Sequence, residues 1–287
     1  MATTSPPPPS ERHIRLAGTR NLRDVGGYPA GVGRRTRWRT LLRTDALDQL
    51  PAESQATLLA LGVRQVIDLR WSNEAESSPS VFRESAAVKY VNFPLRDTIP
   101  TPDGGLGGAY RRIVDGRGPE LANVAKALLE PDGLPAVVGC AAGVDRTGLA
   151  IAIVLSAVGV PDDVVAADYA LSAVSFAGDD GSGLADWRSG AVEIDCLPEY
   201  MIDTIDHLRR RHGGAVGLLA SHGLMDADVE RLRHLLTEPS PDLRPRTSRQ
   251  RRTAGALGPR REDDQSRGRM GNPVPLRASR VQDRRRE

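Results

Sequence analysis

Cysteine is scarce in this chain. Only Cys140 and Cys196 occur among 287 residues, and neither belongs to a Cys-x-x-Cys pair. That excludes a disulfide framework and a cysteine zinc cluster, and it makes a reducing compartment, the cytoplasm, the default expectation. The five histidines are scattered, and His207 and His212 stand five apart rather than four, so they read as solvated side chains rather than metal ligands. No metal and no cofactor is expected. No stretch approaches the roughly 18 unbroken apolar residues of a membrane span. Met1 to Ser10 also lacks the charged start and apolar run of a secretory signal.

Charge is present but unevenly placed. The net charge is +2, yet residues 238–287 hold 14 Arg against 7 Asp or Glu, leaving the first 237 residues at −5. Pro6 to Pro9 and the surrounding small polar residues mark 1–12 as a disordered arm, and the Arg-, Pro- and Ser-rich stretch 238–287 reads as a disordered tail. The tail contains no aromatic residue that would stack on bases, so nucleic-acid or polyanion contact is the minor reading for it. Between the ends, 13–237 is long enough to bury a substantial core as one domain.

Within that domain, helical and strand patterns alternate. Pro51 to Leu61 predicts a helix with proline in its first turn and Gly62 just past its end. Val63 to Leu69 and Val88 to Phe93 predict strands, and Pro119 to Glu130 a helix with apolar residues at helical spacing. Pro135 to Gly139 is short and apolar, as suits a central strand, while Thr147 to Val158 is apolar on nearly every side and predicts a buried helix. Further helices are expected after Pro161, at Glu199 to Arg211 and at Asp226 to Leu236. The glycines of Gly104 to Gly108 read as a surface loop. The alternation predicts an α/β fold, a largely parallel sheet flanked by helices, with a C-terminal helical subregion.

The most informative run is Cys140-Ala141-Ala142-Gly143-Val144-Asp145-Arg146, followed by Thr147 and Gly148. A turn from a strand into a helix can aim successive backbone N–H groups, and the positive end of the helix dipole, at one anion. Small residues at Ala141, Ala142 and Gly143 let the backbone curl closely round a phosphate, with Val144 and Thr147 completing the cradle. Arg146 brings a planar fork that fits two phosphate oxygens. A positive field of that kind also favours the thiolate of a cysteine placed in it. Cys140 can then displace the ester oxygen of a phosphate, and water hydrolyses the phosphocysteine. Thr147 can hydrogen-bond the departing sulfur.

This run, Cys-x-x-Gly-x-Asp-Arg-Thr-Gly, resembles that of the broad-specificity bacterial protein-tyrosine phosphatases of the kind secreted by mycobacteria. Gly18 to Tyr28, Leu42 to Asp45, Asp68 to Arg70 with Glu74, Ala157 to Gly159, Val164 to Tyr169 and the pattern from Gly214 to Leu236 match in the same order, so the likeness covers about 14–236. It implies hydrolysis of phosphotyrosine, with phosphoserine and phosphothreonine as further substrates, in phosphorylated proteins or peptides. A pseudophosphatase that binds such ligands without turnover is the alternative. The resemblance points to Asp97 as the acid that protonates the leaving oxygen, with Asp145 as the other candidate. Arg23, Asp24, Asp68 and Arg70 are expected to position the neighbours of the loop. Two departures stand out: Gly139 and Val144 occupy places where the family has histidine and lysine, which argues against phosphoinositide substrates and rapid turnover. A reversible disulfide between Cys196 and the reactive thiol is a remote option.

Overall fold

A computed structural model describes residues 12–95, 105–176 and 196–241, all in one compact unit. The arm before Arg12 and the tail after 241 lie outside the described residues.

Five strands form the central sheet in the order β1 (Arg23–Asp24), β3 (Leu41–Thr44), β6 (Ala136–Gly139), β4 (Gln65–Asp68) and β5 (Lys89–Asn92). Only β1 pairs antiparallel; the other neighbours run parallel. Valine-rich β6 is fully buried and central, as its continuous apolar run suggested. Its side chains alternate between two faces. Val138 joins Leu41 and Ile67 in the larger core, and Val137 joins Leu42 and Val66 in the smaller one. The smaller core is covered by α1 (Ala52–Ala60) through Leu58. The larger takes α4 (Gly118–Leu129), α5 (Asp145–Ala157) and α6 (Asp162–Phe176), with α3 (Gly105–Gly116) and the C-terminal helices α7 (Pro198–His212), α8 (Gly214–Ser221) and α9 (Asp226–Leu236) around them. The α/β architecture with a C-terminal helical region therefore stands.

Register places the ends of three parallel strands level. Thr44 of β3 and Asp68 of β4 both lie opposite Gly139 of β6. Ligands of open parallel sheets bind beyond such carboxyl ends, and Cys140 is the next residue. Helix α5, nearly all of it buried, follows and starts at Asp145, so Asp145 and Arg146 belong to its first turn rather than to a loop before Thr147.

Three expectations need correction. Gly105 to Gly108 open helix α3 instead of forming a loop, because Leu106, Tyr110, Ile113 and Val114 supply an apolar stripe that packs on the larger core. Arg12 belongs to the body rather than to the arm: it is buried, its guanidinium lies 3.5 Å from the centre of the Tyr28 ring, and it bonds the carbonyl of Gly26. The body also runs past 237. Strand β7 (Thr237–Pro239) pairs antiparallel with β2 (Arg34–Thr36), and Arg34 donates from Nε to Thr237 Oγ1 at 2.7 Å. A short helix α2 (Ser72–Ser77) follows β4.

Strand β7 thus contributes to stability although composition assigned most of it to the tail. Truncation after Leu236 should lower the thermal midpoint by roughly 5 °C, whereas truncation after Pro241 should leave it unchanged. Equal midpoints for the two truncations would show that β7 contributes nothing.

Candidate active site

The loop between β6 and α5 is held by its carbonyl oxygens. Ala141 O accepts from the Ala46 backbone N–H at 3.0 Å. Asn21 donates from Nδ2 to Ala142 O at 3.0 Å and to Gly143 O at 3.1 Å. Arg43 donates from Nη2 to Gly143 O at 2.7 Å. In a trans peptide the N–H points opposite to the C=O, so these bonds turn the amides of the loop to its other side. The backbone N–H groups of Ala141 through Thr147 make no bond to a protein acceptor among the described residues outside α5 itself. The clamped carbonyls orient the N–H groups of Ala142, Gly143 and Val144, between the buried Cys140 and the start of helix α5. Gly143 makes the turn possible: its φ is +69°, and an added Cβ would lie 2.3 Å from Thr44 O.

A buried ionic cluster stands behind these clamps. Asp168 of α6 accepts from Arg43 Nη1 at 2.6 Å and Arg23 Nε at 3.4 Å, and the Tyr28 hydroxyl donates to it at 2.9 Å. Arg23 also bonds the Asp168 carbonyl at 2.8 Å and the side-chain oxygen of Asn21. Burial alone would raise the Asp168 carboxyl, but the two guanidiniums hold it down at about 2. Arg23 is also lowered, to about 10, through burial and then the like charge of Arg43. One carboxylate shared by two buried arginines accounts for both.

On the open side stands Arg146. It pairs through both Nη atoms with Glu74 of α2, at 2.6 and 3.1 Å, and its guanidinium lies 5.8 Å from the Trp71 ring centre. Glu74 is itself held by the Trp71 backbone N–H at 2.8 Å. Burial pulls the Arg146 charge down, but Cys140, Glu74 and Asp145 outweigh it and carry the group above its ordinary range. Glu74 occupies two of five guanidinium donors, leaving the rest for an anion. Thr147 Oγ1 is buried and has no hydrogen-bond partner among the described residues. Asp145 accepts a bond from Tyr110, whose hydroxyl also lies 2.7 Å from that of Tyr169.

The sequence model of the tyrosine phosphatase family matches residues 14–238 of this chain. The chain belongs to the tyrosine phosphatase family. A tyrosine-protein phosphatase of Nostoc commune is 28% identical over 213 residues, spanning 67% of this chain and 72% of that protein. The triple specificity protein phosphatase PtpB of Mycobacterium tuberculosis is 31% identical over 188 residues, 54% of this chain and 67% of PtpB. Among solved structures, P. aeruginosa TpbA in complex with pTyr aligns with a TM-score of 0.38 and 18% identity, over 68% of this chain and 92% of that one. The family match and these relatives make the protein a protein-tyrosine phosphatase, an enzyme.

Of the residues singled out from sequence, Cys140, Ala141 to Thr147 and Asp145 come together, whereas Asp97 lies outside the described residues. Arg23 backs the loop through Asn21 and Asp168. Asp68 and Arg70 pair with each other at 2.7 Å at the end of β4, where Tyr90 also donates to Asp68. Asp24 serves elsewhere: its carboxylate caps the N–H groups of Gly26 and Arg39, both at 2.7 Å, and it lines a 430 Å³ cavity with Arg12, Trp38 and Leu61. Packing surrounds both departures: a Cβ at Gly139 would lie 2.9 Å from Thr44 Cγ2, and the Val144 side chain is fully buried in the larger core. Cys140 and Cys196 are both free thiols.

Sequence reasoning gave no role to Asn21, Arg43, Tyr28 or Asp168, although all lie in stretches matched to the family; nor did it single out Tyr110. His207 and His212, read as solvated, are half-buried and both bond Asp115, at 2.9 and 2.8 Å. An i, i+5 spacing sets side chains about 140° apart round a helix, but His212 is the last residue of α7 and its chain swings back to the same carboxylate.

Two expectations follow. Asn21→Ala should lower kcat/KM for p-nitrophenyl phosphate by about 10²-fold with circular dichroism unchanged, since small misplacements of a catalytic loop have that effect; an unchanged kcat/KM would mean the carbonyl clamps are dispensable. Asp168 titrates near 2 in the fold against 3.8 ordinarily. It therefore contributes roughly 2–3 kcal/mol above about pH 4, lost as pH falls through 2. Asp168→Asn should flatten the acid-unfolding curve between pH 4 and 2, besides lowering stability at neutral pH by about 3–5 kcal/mol by stranding two buried charges. An unaltered acid slope would sink this account.

Proposed function

We propose that the enzyme hydrolyses phosphate monoesters of tyrosine in proteins or peptides, and of serine and threonine as further substrates, through a phosphocysteine on Cys140. The observation that carries this reading is the set of clamped carbonyls of Ala141, Ala142 and Gly143, which turns the N–H groups of Ala142, Gly143 and Val144 to the other side of a loop that joins one buried thiol to a helix start. The phosphate would take those amides and the donors of Arg146 left by Glu74. Sγ attacks phosphorus as a thiolate, the P–O ester bond breaks, and the leaving oxygen takes a proton from a carboxylic acid. Water then attacks the phosphocysteine, giving its proton to the same carboxylate. The S–P bond breaks, and Thr147 Oγ1 donates to the departing sulfur.

Asp97 is proposed as that acid. Asp145 is the poorer candidate, because its carboxylate already accepts the Tyr110 hydrogen bond. Arg146 supplies the one cationic side chain of the loop itself. That favours a single phosphate over the clustered phosphates of an inositol headgroup. Two free thiols suit a reducing compartment such as the cytoplasm. No helix among the described residues is long and apolar enough to cross a membrane.

Hydrolysis of p-nitrophenyl phosphate in the presence of a chelator should fall by at least about 10³-fold in Cys140→Ser. Equal rates would remove Cys140 as nucleophile, and binding of phosphotyrosine peptide by an inert native protein would favour a pseudophosphatase. Asp97→Asn should lower phosphotyrosine turnover by about 10²–10⁴-fold and p-nitrophenyl phosphate turnover much less, since that leaving group needs no proton. Equal losses on both substrates would exclude Asp97.

A further inference from the structure

Away from the phosphate loop, Asp115 in the last turn of α3 meets His207 and His212 of α7. Nε2 of His207 lies 2.9 Å and Nε2 of His212 2.8 Å from the same oxygen, Oδ1 of Asp115. The two rings stand nearly edge to face, 69° apart with centres 6.3 Å apart. The three groups can offer ligand atoms all within 4.8 Å of one another. Both histidines are about one-fifth exposed and the carboxylate two-fifths, so one side faces solvent. Burial opposes the Asp115 charge, but the bonds from His212 and His207 outweigh it and hold the carboxyl below its usual range. The nearby cation Arg209 is drawn off by Asp162 at 2.6 Å and Asp206 at 2.7 Å.

We propose that Asp115, His207 and His212 form a binding site for a divalent first-row transition metal, of which Zn²⁺ is the type. Two imidazole nitrogens and one carboxylate oxygen are the donor set of a three-ligand zinc site, with water in the remaining position. Imidazole donors favour zinc, cobalt, nickel or copper over magnesium and calcium. The ion takes the place of the protons by which the two rings now bond Asp115, so small rotations of the three side chains convert hydrogen-bond geometry into ligation. The site lies between α3 and α7. Its occupation ties together two helices from distant parts of the chain, one of which carries Tyr110 to Asp145. The inference does not depend on the phosphatase chemistry, and binding is read without activity.

The full chain carrying Cys140→Ser, which removes the reactive thiolate as a competing ligand, should bind one Zn²⁺ in calorimetry, and its thermal midpoint should rise with metal concentration. His207→Gln, His212→Gln and Asp115→Asn should each weaken binding by about 10-fold or more, with the metal-free midpoint close to that of the parent. Retention of parental affinity in the His207→Gln/His212→Gln double variant overturns the proposal, as does failure of the parent to bind. Co²⁺ gives a check without altering the three residues. Visible bands of a nitrogen- and oxygen-ligated ion are expected, and a spectrum dominated by thiolate charge transfer would place the metal on Cys196 and overturn the assignment.

Discussion

A peptide carbonyl and its N–H face opposite ways, so whatever holds one decides where the other points. Here the oxygens of Ala141, Ala142 and Gly143 are held by the Ala46 amide, Asn21 and Arg43. Everything proposed for the site depends on that constraint. Without it the loop amides would have no common focus, and Cys140 would be an ordinary buried thiol after a strand. Asn21 and Arg43 are fixed in turn by Arg23 and Asp168, which tie strand β3 and the first segment of the body to helix α6. The buried ionic cluster is a costly arrangement in itself. Its use is to fix the direction of a backbone that has no regular secondary structure.

The two departures from the family pattern belong to the same packing problem. Gly139 ends a central strand level with Thr44, so close that a side chain there must displace its neighbour. Val144 turns into the core just before the helix begins, and Arg146 is left as the cation on the open side, steadied by Glu74 and Trp71. Within the loop itself, positive charge is therefore confined to Arg146.

Most of the architecture was legible in the sequence because it rests on local signals. A buried strand reads as a short apolar run, a surface helix as a period near 3.6, and a helix start as proline followed by an apolar face. Strand β6, helix α5 and the α1, α4, α7 and α9 helices were found that way. Elements with weak local signals were not: α3 hides behind four glycines, and β7 is three residues whose partner β2 lies two hundred positions earlier. Pairing of that kind is decided across space, and composition assigned most of β7 to the tail.

For the site, residue types and spacing alone pointed to Cys140, Arg146 and the small residues of the loop, the groups proposed as nucleophile and phosphate cradle, because a strand, a tight turn and a helix start are contiguous in sequence. The sequence likewise determined membership of the family through ordered matches along the chain. Only the tertiary structure decided which side chains hold the loop from behind, that Asp24 serves another part of the body, and that two histidines read as solvated meet one aspartate. The physical reason is common to all three. Hydrogen bonds and ion pairs act over about 3 Å, and groups a hundred residues apart reach that distance only after the sheet and its helices have packed.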